Sequence, residues 1–485
     1  MYKERLKTIL LVVLILSSLI LTQINLFDGL IISEGVSDDL EIYSSKLSTY
    51  INPQSYYVGF GGLSYTRIYD NRLQDNIWSE VRPFILSCFL NYESIVEINR
   101  DEYIRAFSEG SLLVRMPVDL SVERYYSLFS DSVLSSEIRG IYPREYLLRE
   151  GNVRSLYVFD ASAKKYYLIK HKTQHHDIGS VVDRIKAEGW IEYRKISDRF
   201  SLSSTVSDEY NKKNYELIPY LYDFVIAPIN YDYEVRLDDA FFSSDISKIS
   251  SSVFGRNLNF VKRLKDINDS IILMYGYGDK SLTVTNEGVI SYREKFNQTN
   301  SRPLNFNEAF SLAAGRLENF GTLPEGLFLA AYEEYPQTNT FKFYFNYKLN
   351  SFAIAESNVL DHPIVIEVRE NQVVSLDKSL KIYTGESVTE KYVNSERLIT
   401  IDECITINFL EVSIYYLQDN NIYNIAQDTI SYYFPIRSEI NSIDLRYSAV
   451  EEESAKYMIP SWQVKISDRT YIFNAFTGEL IKTYR

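Results

Sequence analysis

Between Thr8 and Phe27 the chain runs for twenty residues without a charge, and fourteen of them are Leu, Ile, Val or Phe. At a helical rise of about 1.5 Å per residue, a run of that length matches a bilayer core of about 30 Å. Its six polar residues do not offset the apolar ones, since Thr22, Gln23 and Asn25 lie toward one end, where polarity is less unfavourable. The expectation is a transmembrane helix over residues 8–27 behind a stub at 1–7. Lys3, Arg5 and Lys7 precede the run with only Glu4 against them, whereas Asp28, Glu34, Asp38, Asp39 and Glu41 follow it before Lys46. Positive flanks stay inside, so the N-terminus is expected in the cytoplasm and the bulk of the chain outside the cell membrane. A cleaved signal peptide shares these features, but Gln23-Ile24-Asn25-Leu26-Phe27 offers no small-x-small cleavage pattern. No Cys follows the run, which argues against a lipid anchor.

Some 450 residues remain, enough for two to four domains of about 100–200 residues. The formal charge is −14, and removing the stub's net +2 leaves −16 outside. Such an acidic exterior argues against nucleic acid and against anionic lipid headgroups as partners. Cys88 and Cys404 sit far apart in apolar stretches and read as buried thiols rather than a disulfide. An exported chain with no disulfide framework suits a bacterium with a single membrane.

The pattern beyond the anchor predicts an α+β fold, a multidomain mix of helices and antiparallel strands. A tether is expected at 28–53 and a first exported domain at 54–200. The domain opens with a strand near Tyr56–Tyr69 and a helix near Arg72–Leu90, where Ile77, Trp78, Val81 and Ile85 recur at helical spacing. Leu156–Phe159 and Tyr166–Ile169 flank a loop and predict a hairpin, and Gly179–Gly189 a helix. A polar stretch at 201–215 marks a boundary. A central domain at 216–296 is expected to hold a meander of Ile271–Tyr275, Leu282–Thr285 and Val289–Tyr292, with turns at Gly276–Asp279 and Asn286–Gly288. Two related units follow at 303–390 and 396–485. Leu304-Asn305-Phe306-Asn307-Glu308-Ala309 and Ile399-Thr400-Ile401-Asp402-Glu403-Cys404 share an opening pattern, each ahead of several strands.

Leu6 to Thr22 resembles the membrane segment of the YycH family, and Asp101-Glu102-Tyr103 with Gly110–Pro117 resembles that family's first exported domain. Tyr275-Gly276-Tyr277-Gly278-Asp279 through Tyr292 is similar to its central meander, with Tyr277-Gly278-Asp279 in place of the usual Asp-Gly turn. Pro460-Ser461-Trp462-Gln463-Val464 with Phe473–Leu480 resembles the last hairpin of YycH and YycI proteins, and also PepSY-type modules. The resemblance implies a non-enzymatic, extracytoplasmic regulator of a YycG/WalK-like sensor histidine kinase that controls cell-wall metabolism. It would pair with a YycI-like bitopic protein and restrain the kinase through contacts between membrane helices. The last hairpin alone suggests an alternative, a PepSY-like inhibitor or modulator of a wall-associated peptidase.

On a helix, Leu11, Ile15, Ser18, Thr22 and Asn25 form one stripe, with Ser18 and Thr22 as a small-xxx-small pair. Those five residues are the expected partner-binding surface within the membrane. The alternative is that each hydroxyl bonds back to a carbonyl one turn earlier. Elsewhere, His171, His175, His176 and Asp177 have metal-ligand side chains, but Lys170 and Lys172 beside them favour a polar loop. Gly59-Phe60-Gly61-Gly62 lacks phosphate-loop spacing, and Glu451-Glu452-Glu453 reads as a solvated face. His362 before Pro363 reads as a turn residue. No cofactor and no catalytic set is expected, because no Ser, His and Asp carry an elbow or oxyanion signature.

Overall fold

A computed structural model describes residues 47–130, 132–151, 153–195, 216–219, 226–233, 244–296, 302–355, 362–379, 381–386, 398–422, 432–452 and 455–485. The expected transmembrane helix lies outside the described residues, among which no helix is long and apolar enough to cross a membrane. The rest is α+β with antiparallel sheets, as the patterning predicts.

The first sheet has nine strands: β1 (Ser55–Phe60), β2 (Tyr65–Ile68), β3 (Tyr92–Ile98), β4 (Gly110–Arg115), β5 (Pro143–Arg149), β6 (Ser155–Asp160), β7 (Lys165–His171), β8 (Tyr193–Lys195) and β9 (Leu217–Pro219). They run β3-β7-β6-β5-β4-β1-β2-β8-β9. Alternation sorts the central strands onto two faces. Tyr56, Val58, Leu112, Val114, Tyr146 and Leu148 point to one side, where Ile77, Val81, Phe84 and Ile85 of the helix Asn71–Leu90 cover them. Tyr57, Leu113, Leu147 and Tyr157 point to the other, against Tyr103 and Phe107 of the helix Arg100–Ser108. Asp70 caps the longer helix by accepting from the Leu73 amide at 2.7 Å. The strand expected over Tyr56–Tyr69 is a hairpin, because Gly61 and Gly62 adopt φ of +90° and +70°, a turn that residues with a Cβ resist.

Strand β10 (Ile229–Tyr233) leads to the second sheet, which contains β11 (Lys262–Lys265), β12 (Ile271–Tyr275), β13 (Lys280–Val284), β14 (Val289–Glu294), β15 (Phe328–Tyr335) and β16 (Thr340–Asn346). A short hairpin of β17 (Lys348–Leu349) and β18 (Phe352–Ala353) precedes β19 (Ile364–Arg369) and β20 (Gln372–Ser379). The order is β11-β12-β13-β14-β20-β19-β16-β15, which spans residues on both sides of 297–302. The meander and the strands of the first repeated unit form one sheet, because β14 pairs with β20, Tyr292 opposite Leu376. Both side chains are fully buried, so the meander gains a neighbour for its apolar edge. One face packs on the helices Ser244–Phe254 and Phe306–Glu318 through Ile249, Phe310 and Leu317. The other face is open, and is polar around Arg293, Lys342, Glu367 and Asp377.

The last sheet contains β10, β21 (Lys381–Glu386), β22 (Ile440–Glu452), β23 (Ala455–Ile466), β24 (Arg469–Asn474) and β25 (Leu480–Tyr484). Trp462, Val464 and Ile466 share its buried face. Both repeated openings are helix starts with reciprocal capping boxes: Asn305 with Glu308, and Thr400 with Glu403. Residues 47–51 lie within the stretch expected as a tether. Leu47, Tyr50 and Ile51 are buried, with the Tyr50 ring edge-on to Phe310 and Phe345, so the apolar residues here join the core rather than a free linker.

Candidate functional site

A cluster of buried polar groups lies where the first sheet meets the last. Arg67 stands mid-strand in β2, with its guanidinium 5.6 Å from the Tyr57 ring and 5.2 Å from the Tyr69 ring. It reaches Asp444 on β22 at 3.2 Å, a carboxylate that also accepts from Gln54 and Arg446, each at 3.4 Å. Arg115 lies 5.4 Å from the Tyr57 ring and pairs with Glu145 at 2.8 Å and Glu216 at 3.1 Å. The Tyr69 and Tyr193 hydroxyls hydrogen-bond beside it. Lys348, from the β17–β18 hairpin, donates to Gln74 Oε1 at 2.7 Å.

The electrostatics fit a clamp. Burial pushes the Asp444 carboxyl up, but Arg67, Arg446 and Arg115 together hold it below its ordinary value. Glu216 is held above its ordinary value, chiefly by burial, in spite of Arg115. Burial, then Arg67, pushes the Lys348 ammonium down to about 8. Arginines with bidentate and aromatic partners hold geometry; they do not move protons. A cleft of about 420 Å³ opens alongside, lined by Arg67, Tyr69, Asp70, Glu188 and Trp190. A second opening, of about 560 Å³, lies on the open face of the eight-stranded sheet among Arg293, Lys342, Glu367, Arg369 and Asp377.

Ser87 Oγ and His171 Nε2 are 2.9 Å apart, the spacing of a nucleophile and its base. The ring's other nitrogen decides against that chemistry. His171 Nδ1 accepts from the Thr173 and Gln174 amides at 3.1 and 2.7 Å, so the neutral ring carries its proton on Nε2 and donates to Ser87. A base for Ser87 needs the opposite tautomer. His171 and His176 both pack on the Phe84 ring, at 6.2 and 5.1 Å, and no group of three or more metal-ligand side chains occurs among the described residues.

Burial, then Arg154 and Lys172, lowers the proton affinity of His171. The unfolded chain then binds that proton more readily than the folded one, so this stabilisation is complete above about pH 6.5 and is lost as pH falls toward the folded value. His171→Asn keeps an acceptor for the two amides and removes the titration. The expected result is a shallower fall of melting temperature between pH 7.5 and 5.5. A slope equal to that of the unaltered chain would mean that His171 does not titrate across folding.

Leu11, Ile15, Ser18, Thr22 and Asn25 lie outside the described residues. Glu451 accepts from the Tyr231 hydroxyl at 3.1 Å, and Glu453 lies outside the described residues. The sequence reading did not single out Arg67, Arg115, Glu145, Glu216 or Asp444. Their only local signal is a charge within an apolar strand, as in Leu113-Val114-Arg115-Met116 and Ile443-Asp444-Leu445.

No known protein family matches the chain, and no curated protein matches it. Among solved structures, YycH from Bacillus subtilis is similar with a TM-score of 0.48 and 14% identity, over 88% of this chain and 96% of that one. An uncharacterized protein from Eubacterium rectale aligns with a TM-score of 0.33 and 12% identity, over 53% of this chain and 85% of that one.

Proposed function

We propose that the chain is a membrane-anchored, extracytoplasmic regulator that restrains a YycG/WalK-like sensor histidine kinase, acting with a YycI-like bitopic partner through contacts between membrane helices. The observation that carries this reading is the uncharged run Thr8–Phe27 with opposite charges on its two flanks, which puts one helix in the bilayer and a large body outside. The ordered motif likenesses to the YycH family supply the kinase. Those motifs fall on successive elements: the helix Arg100–Ser108 with β4, the meander β12–β14, and the hairpin β23–β24.

Within the anchor, Ser18 and Thr22 let a second helix approach closely, and Asn25 hydrogen-bonds across the contact near the outer interface. Ser18→Leu with Thr22→Leu fills that groove, whereas Ser17→Leu with Gln23→Leu removes two polar groups elsewhere on the helix. Interhelical hydrogen bonds of this sort are worth about 0.6–2 kcal/mol, so co-purification of the kinase in detergent should weaken by about 3- to 30-fold in the first pair only. Equal losses in both pairs would move the contact to the exported body. Full function after exchange of the whole anchor for an unrelated helix would instead favour the peptidase-modulator reading, which rests on the last hairpin.

A further inference from the structure

The strand β11 forms one edge of the eight-stranded sheet, and all four of its residues are exposed. Around it cluster large apolar side chains that the core does not take: Phe260 is 74% exposed, Ile267 95%, and Tyr277 fully. Register puts Leu264 opposite Ile272 and Lys262 opposite Met274, so these four share the open face of the sheet. Lys262 lies 5.6 Å from the Tyr277 ring. Within the hairpin Lys262, Arg263 and Lys265 outnumber Asp266 and Asp269, and Lys265 pairs with Asp269 at 2.7 Å. The hairpin is therefore net positive on a chain whose formal charge is −14.

We propose that this β11–β12 edge rests on the bilayer surface, its apolar side chains in the headgroup layer and its cations on anionic lipid. The inference rests on the anchored reading above. Aromatic and aliphatic side chains beside Lys and Arg make up an interfacial contact. The overall negative charge does not oppose it, because charges beyond about 10 Å are largely screened at 0.1 M salt, so the hairpin's own charges dominate. A second copy fits this edge poorly, since full antiparallel pairing of two such strands sets Lys262 against Lys265 at both ends. Reach is sufficient. The described chain begins near β15 and β16, with Tyr50 beside Phe345, at the opposite edge about 34 Å away for eight strands. The nineteen residues from Asp28 to Lys46 extend to at most about 65 Å.

The test uses the full chain in vesicles of equimolar phosphatidylcholine and phosphatidylglycerol that carry spin-labelled lipid. An environment-sensitive dye is attached at Ile267→Cys or, for reference, at Gln337→Cys in the turn between β15 and β16. Cys88 and Cys404 are buried with thiols pushed up to about 12, so the added thiol takes the label. Quenching by the lipid label is expected at position 267 and not at 337, falling severalfold in phosphatidylcholine alone or when Lys262→Glu and Lys265→Glu are added. Equal, low quenching at both positions in a chain that floats with the vesicles overturns the inference and leaves the anchor intact. Quenching at 267 that ignores both the lipid charge and the two Lys substitutions overturns the anionic part. A chain that fails to float overturns the anchored reading, and this inference with it. Lost kinase co-purification in Ile267→Asp without quenching makes the edge a protein contact and likewise overturns the proposal.

Discussion

Trp462→Ala should destabilise the C-terminal sheet by about 3–5 kcal/mol, the range for removing a fully buried large aromatic ring. Trp462 is 1% exposed and lies between Leu445 on β22 and Phe473 on β24, both also buried. Its loss opens a cavity in the layer that β22, β23 and β24 share, and rigid antiparallel strands cannot collapse to fill it. There is a polar cost as well. Trp462 Nε1 donates to the Ile399 carbonyl at 2.9 Å, one residue before the Thr400 cap that starts the helix Ile401–Ile407. Truncation leaves that carbonyl without the indole donor and loosens the approach to the capped helix. Trp462→Phe keeps most of the ring and forfeits the hydrogen bond, so it should cost about 1–3 kcal/mol. The measurement is the urea midpoint of the full chain, with amide exchange on β22–β24 to localise the loss. An unchanged midpoint and unchanged exchange in Trp462→Ala would show that the ring is not part of the core.

Much of this sheet was readable in the sequence, for a physical reason. Trp462, Val464 and Ile466 alternate with polar residues because one face of β23 is buried at that end. The helix Asn71–Leu90 was readable for the same kind of reason, since Ile77, Trp78, Val81 and Ile85 recur on its covered face and Pro83 falls on an exposed position. Strands without such a signature went unread. β5 is buried on both faces through Tyr146, Leu147 and Leu148, which erases alternation, and β3 is an edge strand with little burial on either face. Pairing was harder still. β9 joins the first sheet and β10 the last, although only nine residues separate them, because strand partners are chosen by tertiary packing rather than by neighbourhood in the chain. The site shows the same limit at its largest. Arg67 and Asp444 stand 377 residues apart, and nothing local to either announces the other.

That separation makes the Arg67–Asp444 pair a test of whether the two ends of the described chain are coupled. Asp444→Asn keeps the shape and removes the charge, leaving Arg67 buried among Tyr57 and Tyr69 with no full countercharge. Loss of one partner of a buried pair costs about 3–5 kcal/mol, most of it from the charge left behind. The side chains of Arg67 and Asp444 are only 9% and 18% exposed, so solvent does little to relieve it. Arg67→Met in the same chain removes the stranded cation, and the double variant should recover a large part of the loss. Acid should act as the mutation does. With the Asp444 carboxyl held below its ordinary value by Arg67, Arg446 and Arg115 against the effect of burial, its contribution is complete above about pH 3.9 and is lost as pH falls through the folded value. Asp444→Asn should therefore flatten the acid limb of the stability profile while lowering the plateau at neutral pH. If the plateau is unchanged, the pair is a surface contact, and the first and last sheets are held together by their shared apolar core alone.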